Sequence, residues 1–334
     1  MILSAFVPIN MQLGKGNKIM QFLQELREGQ KVSSVYLCKS KTSGTTKAGK
    51  TYYNLTLQDK TASLAGKVWE LTNAIEHFEA GDTIKIEGDV TSFNGENQIR
   101  ITRIRKASEG EYVLADLLPT SPYDIDKMYQ SLLDKITSLK NPKIKRLLNS
   151  FFLDDAEFAR SFKYHSAAKA MHHGFVGGLL QHTLGVASIC ESYCKLYNYL
   201  NRDLLIAAAL LHDIGKVREL SEFPTNDYTD EGQLLGHIVI GYEMVSRHID
   251  EIEGFPQKTA DELKHCILAH HGELEYGSPK KPALAEAVAL NMADNSDAKL
   301  EMMLEGLGDS NGEWVGFNRG LDSNIRKTTP LPQG

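Results

Sequence analysis

The chain has 334 residues and a formal charge of −6, from 37 basic and 43 acidic side chains. With 42% hydrophobic and 24% charged residues, it is a core-forming chain, which excludes a disordered or collagen-like protein. At about 150 residues per domain the length suggests two domains, and no run of about 18 apolar residues exists to span a membrane.

The opening MILSAFVPINMQLGKGNK has a short apolar stretch but no basic residue before it and no clear small-residue cleavage site. It does not read as a signal peptide, and a cytoplasmic protein is expected. The four cysteines, at 38, 190, 194 and 266, form neither a CxxC pair nor a disulfide ladder, which fits a reducing compartment. Charge is uneven: residues 31–106 carry a net of +4, and residues 107–334 a net of −11. Ten of the 11 histidines lie between positions 165 and 271. That clustering matters because imidazole is the commonest side-chain metal ligand.

In chain order, residues 1–30 form an extension in which Ile19, Phe22, Leu23 and Leu26 have helical spacing, predicting a short amphipathic helix over 17–28. Strands follow. KVSSVYLCKSK, KTYYNLTLQDK, ASLAGKVWEL, DTIKIEGDVTSF and NQIRITRIRKA each alternate or are rich in β-formers, with Gly44, Gly49, Gly81 and Asn94-Gly95 between them. Five short strands, with a helical piece over about 72–79 between the third and fourth, predict an all-β OB-fold barrel over 31–107. Residues 108–123, with Pro119 and Pro122, read as a linker. From 124 to about 305 the period is helical, beginning with Met128, Leu132 and Ile136 and then Ile144, Leu147, Leu148 and Phe151. The tail, 306–334, is rich in Gly, Asn and Pro and is expected to be irregular.

Five pieces of the helical region carry chemistry. They are His182, His212-Asp213, His237, His270-His271 and Asp294, each in or at the end of a helical pattern. Residues 203–211 are almost wholly apolar, and a helix apolar all round is buried. His212 and Asp213 at its end therefore sit against the core and must be paired or bound to metal. An aspartate has two oxygens and can bridge two cations while imidazoles fill the remaining positions. Two cations about 3.5–4 Å apart hold a phosphate, activate water and stabilise a leaving oxygen. Histidine with carboxylate suits Mn, Fe, Co or Zn better than a pure Mg site. Any one of these histidines alone is more often a hydrogen-bonded core residue; the ordered set on successive helices points to metal.

The order H…HD…H…H…D, with AAKAMHHGFVGGLLQHTLGVA ahead of the first ligand and HDIGK around the second, resembles the all-helical HD phosphohydrolase superfamily. An OB-fold ahead of such a domain resembles the YhaM-type 3′→5′ exoribonucleases, over about residues 31–305. The resemblance implies a metal-dependent exonuclease that hydrolyses single-stranded RNA, or DNA, to nucleoside monophosphates. It implies two divalent ions, manganese foremost, with cobalt, iron, zinc or magnesium as alternatives. His182, His212 and Asp294 would hold one ion, His237 and His270 the other, with Asp213 bridging. His271 would be a ligand, or a hydrogen-bond partner of substrate or backbone. A homo-oligomer is also implied.

Lys216 reads either as a catalytic point charge on the scissile phosphate or as a favourable charge at a helix C-terminus. His172 and His173 read as lining the substrate cleft or as packing the start of the first ligand's helix. Asp297 reads as orienting a ligand or as a solvated carboxylate. His165, His248 and His265 read as surface or core residues. OB barrels hold single strands through a basic groove and stacking aromatics. The candidates here are Lys39, Lys41, Lys50, Tyr52, Trp69 and Arg100, with Lys47, Lys67, Phe93, Arg103 and Arg105 further along the strands. Tyr53 shares parity with Leu55 and Leu57 and is expected inside, leaving Tyr52 outside. Two other functions compete: an HD hydrolase of small nucleotides, which leaves the barrel unexplained, and a non-catalytic single-strand or replication-origin binding factor, which leaves the complete ligand set unexplained.

Overall fold

The computed structural model describes residues 20–46, 48–93, 95–108, 110–169, 173–308 and 312–329. The chain divides into two compact units, residues 1–118 and 119–334. Among the described residues no helix is long and apolar enough to cross a membrane.

In the first unit, β1 (Lys31–Thr45), β2 (Thr51–Gln58), β3 (Ser63–Val68), β4 (Thr83–Phe93) and β5 (Glu96–Lys106) close into a barrel in the order β1-β2-β3-β5-β4. The pair β3–β5 is parallel and the rest are antiparallel. Alternation sends Tyr36, Leu57, Ile84, Ile86, Ile99 and Ile104 into one buried cluster. This is the expected OB barrel.

Three local expectations are corrected. The piece over 72–79 is a turn at 73–74 followed by a bridge residue rather than a helix, because its backbone is taken by β5: Ile104 donates to Ala74, Glu76 donates to Ile104, and Ile75 bridges Ile104. Phe78 is buried at its end. The described part of the N-terminal extension forms a single 3-10 turn, Leu23–Glu25, in place of a longer helix. The buried Asp59 carboxylate accepts from the Leu23 amide at 2.6 Å, and Leu23 and Leu26 enter the barrel core. The expected linker is partly folded. Glu111 pairs with Arg105 at 2.5 Å and Lys85 at 3.2 Å, and α1 (Leu114–Leu117) ends on buried Leu117 and Leu118.

The second unit contains α2 (Ile125–Ser138), α3 (Pro142–Phe152), α4 (Ala156–Tyr164), α5 (Gly178–Leu196), α6 (Arg202–Leu211), α7 (Lys216–Glu219), α8 (Asp230–Asp250), α9 (Gln257–Ala269) and α10 (Ala285–Leu307). Leu204 through Leu211 are all buried, so α6 is the central helix that its composition predicts. The tail is not irregular throughout: β6 (Trp314–Asn318) and β7 (Ser323–Arg326) form a hairpin.

Gly215 sits where the turn after α6 comes close to the α8 backbone. A Cβ there would lie 2.1 Å from the His237 carbonyl oxygen and 2.7 Å from the Gly241 amide nitrogen. Only hydrogen lets the turn after α6 press against α8. Gly215→Ala should therefore destabilise the chain by about 1–3 kcal/mol through overpacking, read by urea unfolding. Wild-type stability in that variant would show that α8 yields freely.

Candidate metal centre

The helical unit brings five separated segments to one place. His182 lies in the second turn of α5, His212 and Asp213 in the turn leaving α6, and His237 just after a break in α8 at Gly236 (φ 72°). His270 and His271 follow the end of α9, and Asp294 lies in the middle of α10.

Asp213 is the hub. Its Oδ2 is 3.4 Å from His182 Nε2 and 3.2 Å from His212 Nε2. Asp294 Oδ1 closes the same group, 3.1 Å from His182 Nε2 and 3.9 Å from His212 Nε2. The other oxygen, Oδ1, is 3.4 Å from His237 Nε2 and 3.7 Å from His270 Nε2. His271 joins this second group, since one donor atom each from His237, His270 and His271 lie within 4.8 Å of one another. One carboxylate thus faces two sets of imidazoles.

Every one of these rings is anchored by its other nitrogen. His212 Nδ1 bonds the Ala209 carbonyl at 2.9 Å, His270 Nδ1 that of Ile267 at 2.6 Å, and His271 Nδ1 that of Tyr276 at 2.8 Å. Carbonyls only accept, so these three Nδ1 atoms carry a proton and Nε2 is the nitrogen turned to the centre. His182 Nδ1 is held by Asp297 Oδ2 at 2.7 Å and His237 Nδ1 by Glu219 Oε1 at 2.9 Å. Carboxylates in this position fix ring orientation and tautomer.

The electrostatics call for positive charge. Burial alone would raise the Asp213 carboxyl, but Lys216 and His212 overcome it and hold it well below the carboxylate range. Asp294 is likewise held down against burial, chiefly by its hydrogen bond with His182. Burial would lower His182, yet Asp213, Asp294 and Asp297 raise it well above the ordinary imidazole value. His270 and His271 are pushed down, mainly by burial. Asp213 Oδ1, His237 Nε2 and His270 Nε2 are buried without a hydrogen-bond partner among the described residues. Imidazole and carboxylate acceptors pointed at one another, some without a proton donor, fit divalent cations.

Lys216 Nζ lies 2.7 Å from Asp213 Oδ2 and keeps its proton: burial lowers its pKa, but Asp213 raises it further. His173 is buried behind the cluster of imidazoles, its Nε2 3.8 Å from Asp297 Oδ2, and does not line an open cleft. His172 lies outside the described residues, as does Lys47. Of its two readings, Asp297 has the geometry of the first, since its carboxylate is bonded to His182 Nδ1 and not simply solvated. Glu219 was missed; the one signal was an acidic residue three positions after Lys216, on the short helix that follows the turn. His165 is buried, His248 stacks on Phe151 and bonds Ser150, and His265 accepts from the Ala283 amide.

On the barrel, Tyr52 and Trp69 stack with ring centroids 4.9 Å apart. The registers Asn54↔Lys67 and Lys67↔Arg100 put Lys67 and Arg100 on the same outward face as these rings. Lys39 and Lys50 are exposed. Lys41 is not on that face. A bulge between Cys38 and Ser40 reverses the parity of β1 and pairs Lys41 with the buried Leu55. Its ammonium donates to the Phe78 carbonyl at 2.6 Å and lies over the Tyr53 and Phe78 rings.

Barrel and helical unit together define a nucleic-acid-binding protein with an HD domain. The model for the HD domain matches residues 179–299, and that for the OB-fold nucleic acid binding domain matches residues 31–107. The 3′-5′ exoribonuclease YhaM of Bacillus velezensis is 39% identical over 280 residues, covering 82% of this chain and 87% of that protein. Its counterpart in Bacillus subtilis is 39% identical over 277 residues, with the same coverage. The chain belongs to the YhaM family of 3′-5′ exoribonucleases. A solved OB-fold domain of replication protein A from Methanococcus maripaludis matches 28% of this chain and 98% of its own, at 18% identity and a TM-score of 0.23, too low to bear on function.

Asp297→Asn and Glu219→Gln should each weaken manganese binding by about 10–100-fold, measured by isothermal titration calorimetry. Unchanged affinity would show that the two carboxylates do not orient the ligands. Acidification should strip the metal, because protons compete for the same Nε2 lone pairs. His270 and His271, whose pKa values are depressed, should lose it at the lowest pH.

Proposed function

We propose that this chain is a metal-dependent 3′→5′ exoribonuclease that releases nucleoside monophosphates from single-stranded RNA and also accepts single-stranded DNA. The observation that carries the reading is the division of Asp213, with Oδ2 toward His182, His212 and Asp294 and Oδ1 toward His237, His270 and His271. Two divalent ions, manganese by preference, are the cofactor this donor set suits. When bound, they supply Lewis-acid stabilisation and a nucleophile from water at neutral pH.

The chain's own residues do the rest. Asp297, Glu219 and three carbonyls hold the imidazoles in one tautomer and orientation before any ligand arrives. Lys216 carries a fixed positive charge beside Asp213, where it can hold a phosphate oxygen of the substrate. The Tyr52–Trp69 stack, with Lys67 and Arg100 on the same face, offers the barrel's platform for bases and phosphates. Cys38, Cys190, Cys194 and Cys266 are all free thiols, in keeping with the proposed cytoplasmic location.

The test is a metal-stripped protein given back Mn²⁺ and a 5′-labelled single-stranded RNA, followed on a gel. A ladder shortening from the 3′ end is expected. Asp213→Ala should reduce cleavage by about a thousandfold or more while strand binding persists. RNA left intact under Mn²⁺, Co²⁺, Mg²⁺ and Fe²⁺ alike would refute the reading.

A further inference from the structure

The hairpin of β6 and β7 has two faces of opposite character. Ile325 is buried, and a Cβ on Gly306 of α10 would lie 2.7 Å from Ile325 Cδ1 and 2.9 Å from Asn318 Nδ2. That face is clamped on α10, as a two-stranded hairpin requires for stability. The other face carries Trp314 and Phe317, which are 64% and 60% exposed.

The two rings share that face because of a bulge. Trp314 pairs with Arg326 and Phe317 with Asn324, with the register shifting between Trp314 and Gly316. Gly316 takes φ 119°, a conformation closed to other residues without strain. Without the extra residue, positions 314 and 317 would point to opposite faces. With it, the rings stand about 7 Å apart, two residue rises along the partner strand. A bulge that re-aims a side chain this way is a functional feature more than a defect.

The surroundings are those of a nucleic-acid surface. The Arg326 guanidinium lies 6.0 Å over the Trp314 ring and pairs with Glu313 at 2.6 Å. Arg319, at the tip, is exposed and forms no ion pair among the described residues. The hairpin brings Arg319, Arg326 and Lys327 into a region, 107–334, whose net charge is −11. Exposed aromatics interleaved with arginines suit stacked bases and phosphates better than an apolar protein partner.

We propose that Trp314 and Phe317 form a base-stacking platform for single-stranded RNA on the helical unit itself, additional to the aromatic pair on the barrel. The proposal rests on the exoribonuclease reading. It gives the catalytic unit its own grip on the strand, so affinity for RNA does not reside in the barrel alone.

The chain has two tryptophans, Trp69 and Trp314. In Trp69→Phe the remaining indole emission reports on Trp314 directly. Oligouridylate, added with EDTA to prevent cleavage, should quench that emission saturably. In the otherwise wild-type chain, Trp314→Ala combined with Phe317→Ala should weaken oligouridylate binding about fivefold or more, with the loss appearing in KM rather than kcat. Emission unmoved by RNA, in protein that still degrades RNA once manganese is added, would overturn the platform and leave the nuclease reading standing. RNA neither bound nor degraded would overturn both. A double variant that alters the mass of the assembly with RNA affinity unchanged would assign the face to a second copy of the chain and refute the proposal.

Discussion

Asp213 is 2% exposed and ionised. Burying a carboxylate costs about several kcal/mol even after relaxation, so its surroundings must return that energy. α6 is buried along its length, and the turn after it delivers Asp213 where only α5, α7, α8, α9 and α10 can supply partners. His182 and Lys216, with His212 of the same turn, return part of that energy through hydrogen bonds and positive charge, whereas His237, His270 and Asp294 bring further acceptors that suit a cation. The packing of the unit and the composition of the site are therefore one problem, which is why Gly215 must be bare for α8 to bring His237 within reach.

The second constraint is direction. An imidazole offers two nitrogens, and a loosely held ring would present either one. Here the outer nitrogen, Nδ1, of all five is already engaged, three times by a carbonyl of its own or a neighbouring turn and twice by a carboxylate from another helix. The carbonyl cases come from local geometry: His212 and His270 each reach back three residues, to Ala209 and Ile267. The carboxylate cases need tertiary packing, because Asp297 and Glu219 come from α10 and α7. The second kind fixes its ring through a different helix, so the two groups of imidazoles each contain one histidine whose orientation depends on tertiary packing.

That distinction explains how much was legible beforehand. His182, His212, Asp213, His237, His270 and Asp294 stand out in the sequence because polar residues interrupt apolar helical patterns, and all six converge. Which histidine nitrogen faces inward, and that Glu219 serves His237, depends on side chains distant in sequence. The barrel was legible from alternation, yet Lys41 was misplaced because the bulge after Cys38 reverses parity without changing composition. The same effect hid the hairpin: Gly316 and the bulge break the alternation of the tail, so a folded β-ribbon read as irregular. The stretch over 72–79 read as helical because neither Ile75 nor Glu76 reveals that its backbone bonds are made by Ile104.

The proposed chemistry depends on Asp213 serving two ions at once. Electron paramagnetic resonance of the manganese-loaded chain tests this directly, since two Mn²⁺ ions sharing one carboxylate are magnetically coupled and one ion alone is not. An exchange-coupled multiline spectrum is expected, collapsing to that of an isolated ion in Asp213→Asn. An isolated-ion spectrum in the fully loaded wild-type protein would contradict it.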